Sequence, residues 1–250
     1  TALAKLYSYE TKSKFYYVLV DHNLRKNSSR EAQLVKKLLK KHQITLQVLK
    51  NKRIIKKNIQ SEARNVRYNL LTTFCKKKKI GMILTAHNLE DQVETFFIRL
   101  SRGSGLDGLS SMKKINKIEN NIKLIRPLLD FKKVELIKIS KTIFGKYYKD
   151  PTNKNTKYLR TRIRNLKGTL EASGINYDQV IRSIKNLASS RDTLDQYFNK
   201  IYQSIIKKKN NEIMINLKIF NKINQEMKMR VFKKAIKDST KAYYYTRSKK

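Results

Sequence analysis

Apolar residues follow two alternating rhythms over the first hundred positions. Phe15 to Val20 is an unbroken apolar run, which predicts a strand buried on both faces. Ala32, Val35, Leu38 and Leu39 then recur at helical spacing. Ile44 to Leu49 predicts a second strand. Gln60 to Lys79 predicts a helix with Ala63, Val66, Leu70, Leu71 and Phe74 on one face. Ile80 to Thr85 predicts a third strand, and Leu89, Val93, Phe96, Phe97 and Leu100 a further helical stripe. Strands alternating with helices imply an α/β fold, a doubly wound parallel sheet with crossover helices.

After about residue 170 the pattern becomes mainly helical. Val180, Ile184, Leu187, Leu194, Phe198, Ile201 and Ile205 predict one long helix. Ile213, Ile215, Leu217 and Ile219 alternate as a strand, and Met227 to Lys237 reads as a basic helix. The tail from Lys241 has no core signal and is expected to fray. The two prolines, Pro127 and Pro151, lie where the halves join. No internal repeat is visible. The expected division is an α/β domain over 1–168 and a helical region over 169–250.

Composition adds a partner class. The formal net charge is +39, from 58 Lys and Arg against 19 Asp and Glu. Such an excess favours a polyanion, of which nucleic acid is the commonest. Lys, Asn and Ile are abundant, as in AT-rich genomes, so compositional drift supplies part of the excess. The single cysteine, Cys75, excludes a disulfide framework and a cysteine-based zinc or iron–sulfur site within these residues. It falls in a helical pattern and reads as a small core residue. No run of about 18 apolar residues predicts a membrane span, and Thr1 to Tyr9 is too polar for a signal peptide. A cytoplasmic protein is expected.

Open α/β sheets bind ligands beyond the carboxyl ends of their strands. Asp21-His22-Asn23 follows the first strand and Ala86-His87-Asn88 the third. His87, Asp91 and Glu94 fall at i, i+4 and i+7, so they share one face at a helix start. That face can hold a metal, a cationic substrate or both. The plainer reading is a capped helix start whose acids complement the helix dipole; the place at a strand's carboxyl end favours a site. Arg102-Gly103-Ser104-Gly105 follows, with Gly108 just beyond. Glycines let backbone amides approach a ligand closely, although helix caps use them too.

The run AHNLEDQVETFFIRLSRGSGLDGLSSM resembles the HxxDDQxETxxxRxxRGSGxxGLxxM signature of the tRNA(Ile)-lysidine synthetases, which are PP-loop ATPases. Val20 to Arg25 is similar to that family's V(D/H)HGLR segment, Gln60 to Tyr68 to its QxxARxxRY helix, and Arg126 to Leu129 to its RPLL. Asp150 to Asn153, with Arg160, Arg162 and Arg164, resembles its DPSN and RxRIR stretch. Glu90 stands where the family has Asp, and Asn23 where it commonly has Gly. The family's SGGxDS phosphate loop does not occur, and Thr1 to Leu6 resembles the helix that follows it. The beginning, with the first strand and that loop, is therefore expected to be missing, as is the family's C-terminal domain.

The resemblance implies the chemistry. ATP adenylates the carbon-2 carbonyl oxygen of the wobble cytidine of a CAU anticodon in tRNA(Ile), and the ε-amine of free L-lysine then attacks that carbon and releases AMP. It implies catalytic roles for His87, Asp91 and Glu94, with Asp91 on Mg²⁺ and Asp91 or Glu94 on the lysine ammonium. His87 assists proton transfer or orients Asp91. ATP contacts fall to Asp21, His22 and Arg64. Lysine or tRNA contacts fall to Arg102, Gly103, Ser104, Gly105, Arg126, Arg162 and Arg164. A homodimer stays open. Two other readings compete: a PP-loop enzyme that thiolates tRNA, which a lone helical cysteine disfavours, and a non-catalytic basic RNA-binding piece.

Overall fold

The computed structural model describes residues 1–240 apart from 26, 56–58, 119–121, 146, 149–154 and 210–211. The Asp150 to Asn153 block and the tail from Lys241 lie outside the described residues. In chain order the elements are α1 (Ala2–Thr11), β1 (Tyr17–Asp21), α2 (Ser28–Lys41), β2 (Leu46–Lys50), α3 (Ile59–Lys78), β3 (Met82–Leu84) and α4 (Leu89–Leu100). There follow α5 (Leu106–Leu109), β4 (Ile115–Lys117), β5 (Lys123–Ile125), α6 (Lys133–Phe144), α7 (Leu159–Asn165) and α8 (Lys167–Ala172). The chain continues through α9 (Tyr177–Ile205), β6 (Ile206–Lys209), β7 (Glu212–Ile215), α10 (Leu217–Lys222) and α11 (Gln225–Thr240).

The residues form two compact units, one of 1–95 and 112–174, the other of 96–111 and 175–250. The first is the α/β unit. β1 pairs in parallel with β2, from Tyr17 opposite Leu46 to Asp21 opposite Lys50. β5 lies between β3, to which it is parallel, and β4, to which it is antiparallel. Two apolar clusters hold these strands. Leu39, Ile44, Leu46 and Phe144 pack with Tyr17, Leu19 and Val48 around the first pair. Cys75, Ile83, Ile118, Ile122 and Leu124 pack with Tyr68 and Leu71 around the second set. Cys75 is thus a core residue, and burial raises the pKa of its thiol. β4 and β5 have only three residues each, too few for a period-two pattern to announce them.

The excursion of residues 96–111 into the second unit is closed at its base. Gln92 Oε1 accepts from the Met112 amide at 2.8 Å, and Gln92 Nε2 donates to the Met112 carbonyl at 3.0 Å. Glu90 ties the start of α4 to the start of α6: its carboxylate accepts from the Lys133 amide at 2.9 and 3.1 Å. An acid at that position serves the helix dipole of its neighbour.

The second unit packs Phe198, Tyr202, Ile205, Phe220, Met227 and Val231 into an apolar core. The strand expected over 213–219 ends at Ile215. Asn216 then accepts hydrogen bonds from the amides of Lys218 and Ile219 at 3.1 and 3.3 Å, an N-cap that turns Leu217 and Ile219 into the helix α10. Among the described residues no helix is long and apolar enough to cross a membrane.

Candidate functional site

The residues beyond β1 are held by their own loop. Asp21 is buried, and its two oxygens accept from the Asn23 amide at 2.9 Å and the Ser29 hydroxyl at 2.7 Å. Burial alone would push its carboxyl up, but these hydrogen bonds and the charge of Lys50 outweigh it and hold the pKa below the ordinary value. Asn23 takes φ 53°, the left-handed geometry that Asn tolerates. Both oxygens of Asp21, a residue expected to contact ATP, take part in shaping the turn that presents His22. His22 lies 3.3–3.4 Å from the Arg67 guanidinium, which can only donate, so His22 Nε2 is the acceptor. Burial, then Arg67, lower its pKa against the pull of Asp21.

Beyond β3, Thr85 Oγ1 lies 2.9 Å from His87 Nδ1. Burial is the main reason that the His87 pKa falls to about 4, and the charges of Arg126, Arg160 and Arg64 add to it against Asp91. The ring is neutral at pH 7. Asn88 and Asp91 form a reciprocal cap: the Asn88 amide donates to Asp91 Oδ2 and the Asp91 amide to Asn88 Oδ1, both at 3.0 Å. Asn88 thereby orients Asp91. The capped helix start and the acid at a strand end are the same group of atoms.

Glu94 lies one turn further and is buried with 1% exposure. Arg164 donates to it twice, at 2.6 and 3.0 Å, and Arg160 Nε is 3.1 Å away. Arg160 also donates to Thr95 Oγ1 at 3.2 Å. Two guanidinium groups thus face Glu94, the carboxylate expected to receive a metal or an ammonium, and water hardly reaches it. Arg164 is not a loose surface charge. Arg160, which the family block contained but the expected site omitted, is the second half of this clamp. Arg67 was likewise overlooked; its spacing from Arg64 on one helix was the available signal.

Arg126 follows β5 directly and is buried, with Nη1 donating to the Lys113 carbonyl at 2.8 Å. Arg64 lies over the Tyr68 ring at 5.0 Å. Arg162 is exposed on α7, between buried Thr161 and Ile163. Thus Arg64, Arg67, Arg126, Arg160 and Arg164 gather with neutral His87, His22, Asp91 and Glu94 at the ends of β1, β3 and β5. Cations outnumber anions, which suits a phosphate-bearing ligand. Among the described residues no group of three or more His, Cys, Asp or Glu could hold a metal. The donor set fits Mg²⁺ only as an ion carried by phosphates, with Asp91 as its one carboxylate.

Arg102 to Gly105 belong to the other unit. Gly103, at φ 64°, ends α4, and the Ser104 amide returns to the Arg99 carbonyl at 3.0 Å. Gly105 precedes α5 in extended conformation. Gly108 must be glycine for packing, since a Cβ there would meet the Ser104 Cβ at 2.5 Å. Arg102, Gly103 and Gly105 are exposed.

An α/β unit with its basic and acidic side chains assembled at the carboxyl ends of parallel strands defines a class of nucleotide-handling domains. The model of the PP-loop domain, an ATP-binding family, matches residues 1–168, and the chain belongs to that family. It is 35% identical over 207 residues to the tRNA(Ile)-lysidine synthase of Orientia tsutsugamushi (strain Boryong), covering 82% of this chain and 46% of that protein. It is 33% identical over 231 residues to the tRNA(Ile)-lysidine synthase of Wolbachia pipientis wMel, covering 91% and 53%. The chain spans about half the length of these curated relatives. Among solved structures it is similar to the U34-tRNA thiolase NcsA from Methanococcus maripaludis with its [4Fe-4S] cluster. The TM-score is 0.58 at 17% identity, over 75% of this chain and 68% of that one, a likeness of fold.

Proposed function

We infer that this chain carries the nucleotide-handling part of an enzyme that joins L-lysine to carbon 2 of the wobble cytidine in the CAU anticodon of tRNA(Ile), driven by ATP. The observation that carries the reading is the guanidinium array around neutral His87 and capped Asp91 at the strand ends. The relatives' names support formation of lysidine on tRNA(Ile), and the array supplies a physical reason for binding phosphates. Phosphates of ATP and of the RNA need fixed cations in a site with few competing acids. Arg64, Arg67, Arg126 and Arg160 are proposed to neutralise them, with Asp91 meeting the phosphate-borne Mg²⁺. His87, neutral and paired with Thr85, is proposed to hydrogen-bond a reacting group rather than to act as a strong base. The exposed Arg102–Gly105 turn is proposed to touch tRNA or lysine.

The thiolase likeness offers a second reading, but sulfur transfer on a cluster needs several cysteines, and the 250 residues hold one, buried in the core. The test uses the complete protein, labelled lysine and a CAU-anticodon tRNA transcript. Wild type should incorporate lysine. Asp91→Ala should abolish incorporation yet keep tRNA affinity within about threefold, because phosphate contacts dominate RNA affinity. Loss of tRNA binding in step with activity, or no incorporation by wild type, would overturn the reading.

A further inference from the structure

We propose that a cleft between the exit of β2 and the first turns of α3 takes one unpaired nucleobase of an RNA. The proposal rests on RNA being the substrate. The cleft, ≈ 350 Å³, lies in the α/β unit, and Glu62, Asn65, Val66 and Asn69 form one wall. These residues are spaced i, i+3, i+4 and i+7, so they share a helix face. Ile54 and Ile55 line it as well.

The lining selects a chemical class. Two carboxamides each offer donors and an acceptor, and Glu62 adds an acceptor; Asn65 Nδ2 already points to Glu62 Oε1 at 3.4 Å. Three aliphatic side chains supply flat apolar contact. A wholly apolar ligand would leave the amides without partners. A phosphate would meet the Glu62 carboxylate. A nucleobase has an apolar face and an edge of donors and acceptors, and RNA readers use both on unstacked bases. The volume is at the lower end for ligand pockets, about 300–1,000 Å³, which suits a base rather than a whole nucleoside triphosphate.

The far wall is fixed in advance. Asn51, buried at the end of β2, donates to the Arg53 carbonyl at 2.7 Å and to the His22 carbonyl at 3.2 Å, and accepts from the Arg53 amide at 2.9 Å. Arg53 lines the cleft. One buried carboxamide therefore joins the cleft wall to the loop that presents His22. On α3 itself, Arg64 and Arg67 lie on the face away from the cleft residues, and Arg67 reaches His22. The cleft is thereby a determinant of which RNA is accepted.

The test is binding of an RNA hairpin with an unpaired loop to the complete protein, with an abasic nucleotide placed at each loop position in turn. In wild type one position should weaken binding roughly tenfold, as loss of one stacked base does. In Asn65→Leu/Asn69→Leu that penalty should shrink to less than about twofold, while circular dichroism keeps the helix, since Leu is a good helix former. ATP affinity should not change. An abasic penalty equal in both proteins would overturn the proposal. So would a variant that loses ATP instead of the base penalty, because the cleft would then hold the adenine of ATP. Lysine incorporation is read separately: its absence in wild type, with the base penalty intact, sinks the enzyme assignment and leaves the cleft standing.

Discussion

Two neighbouring stretches, His87–Glu94 and Arg102–Gly108, are both sharp in the sequence and became different physical objects. The first is polar and partly buried, with each acid matched: Glu90 to the Lys133 amide, Asp91 to Asn88, Glu94 to Arg160 and Arg164. The second is an exposed turn whose glycines end one helix, begin another and admit a close packing contact at Ser104. In one place residue identity is demanded by charge; in the other it is demanded by backbone geometry. A glycine-rich turn beside a helix is thus weak evidence for a ligand site, whereas a buried carboxylate clamped by two arginines is costly to build without a purpose.

The largest expected break in this comparison is Glu94→Ala. It strands two guanidinium groups that are 30% and 39% exposed, so solvent softens the loss. The expected destabilisation is about 2–3 kcal/mol, below the value for a fully buried pair. A urea midpoint indistinguishable from wild type would show that the clamp contributes nothing to stability.

Acid should affect the first stretch next most strongly. The folded His87 pKa is about 4, below its ordinary 6.5, so the unfolded chain binds the extra proton. The contribution of neutral His87 is complete above about pH 6.5 and is lost as pH falls toward 4, by at most about 3 kcal/mol. Stability measured at pH 7 and pH 4.5 should differ less in His87→Gln than in wild type. An equal drop in both would assign the acid sensitivity to other groups.

Gly108→Ala probes the second stretch and should cost about 1–3 kcal/mol through overpacking against Ser104. Phosphate-ligand affinity of the α/β unit should stay unchanged. A fall in that affinity comparable to that of Arg126→Ala would mean that the turn is coupled to the site.

Much of the α/β unit was legible because its strands and helices bury continuous faces. The stripes of Val35, Leu38 and Leu39, and of Leu71 with Cys75, all pack against the strands. Short β4 and β5 were not, since three residues carry no period. The error at Leu217 and Ile219 had a local cause: an Asn cap overrode an alternation that looked like a strand. Within the candidate site, His87, Asp91 and Glu94 could be placed together because one helix face is set by spacing alone. Their partners could not. Arg160 lies 66 positions from Glu94 and Arg67 lies 45 from His22, and nothing in local sequence pairs them.

What the sequence determined by itself was the order of strands and helices, the strong net positive charge and the face carrying His87, Asp91 and Glu94. These follow from periodicity and composition, which are properties of neighbours along the chain. Tertiary structure decided that Glu94 is neutralised, that Asp21 turns inward to its own loop, that His87 is uncharged and that Arg102–Gly105 falls in the other unit. Each of these depends on what folding brings within about 3–4 Å, where a charge is either hydrated or paired, and hydrogen-bond reach is too short for sequence spacing to specify across tens of residues.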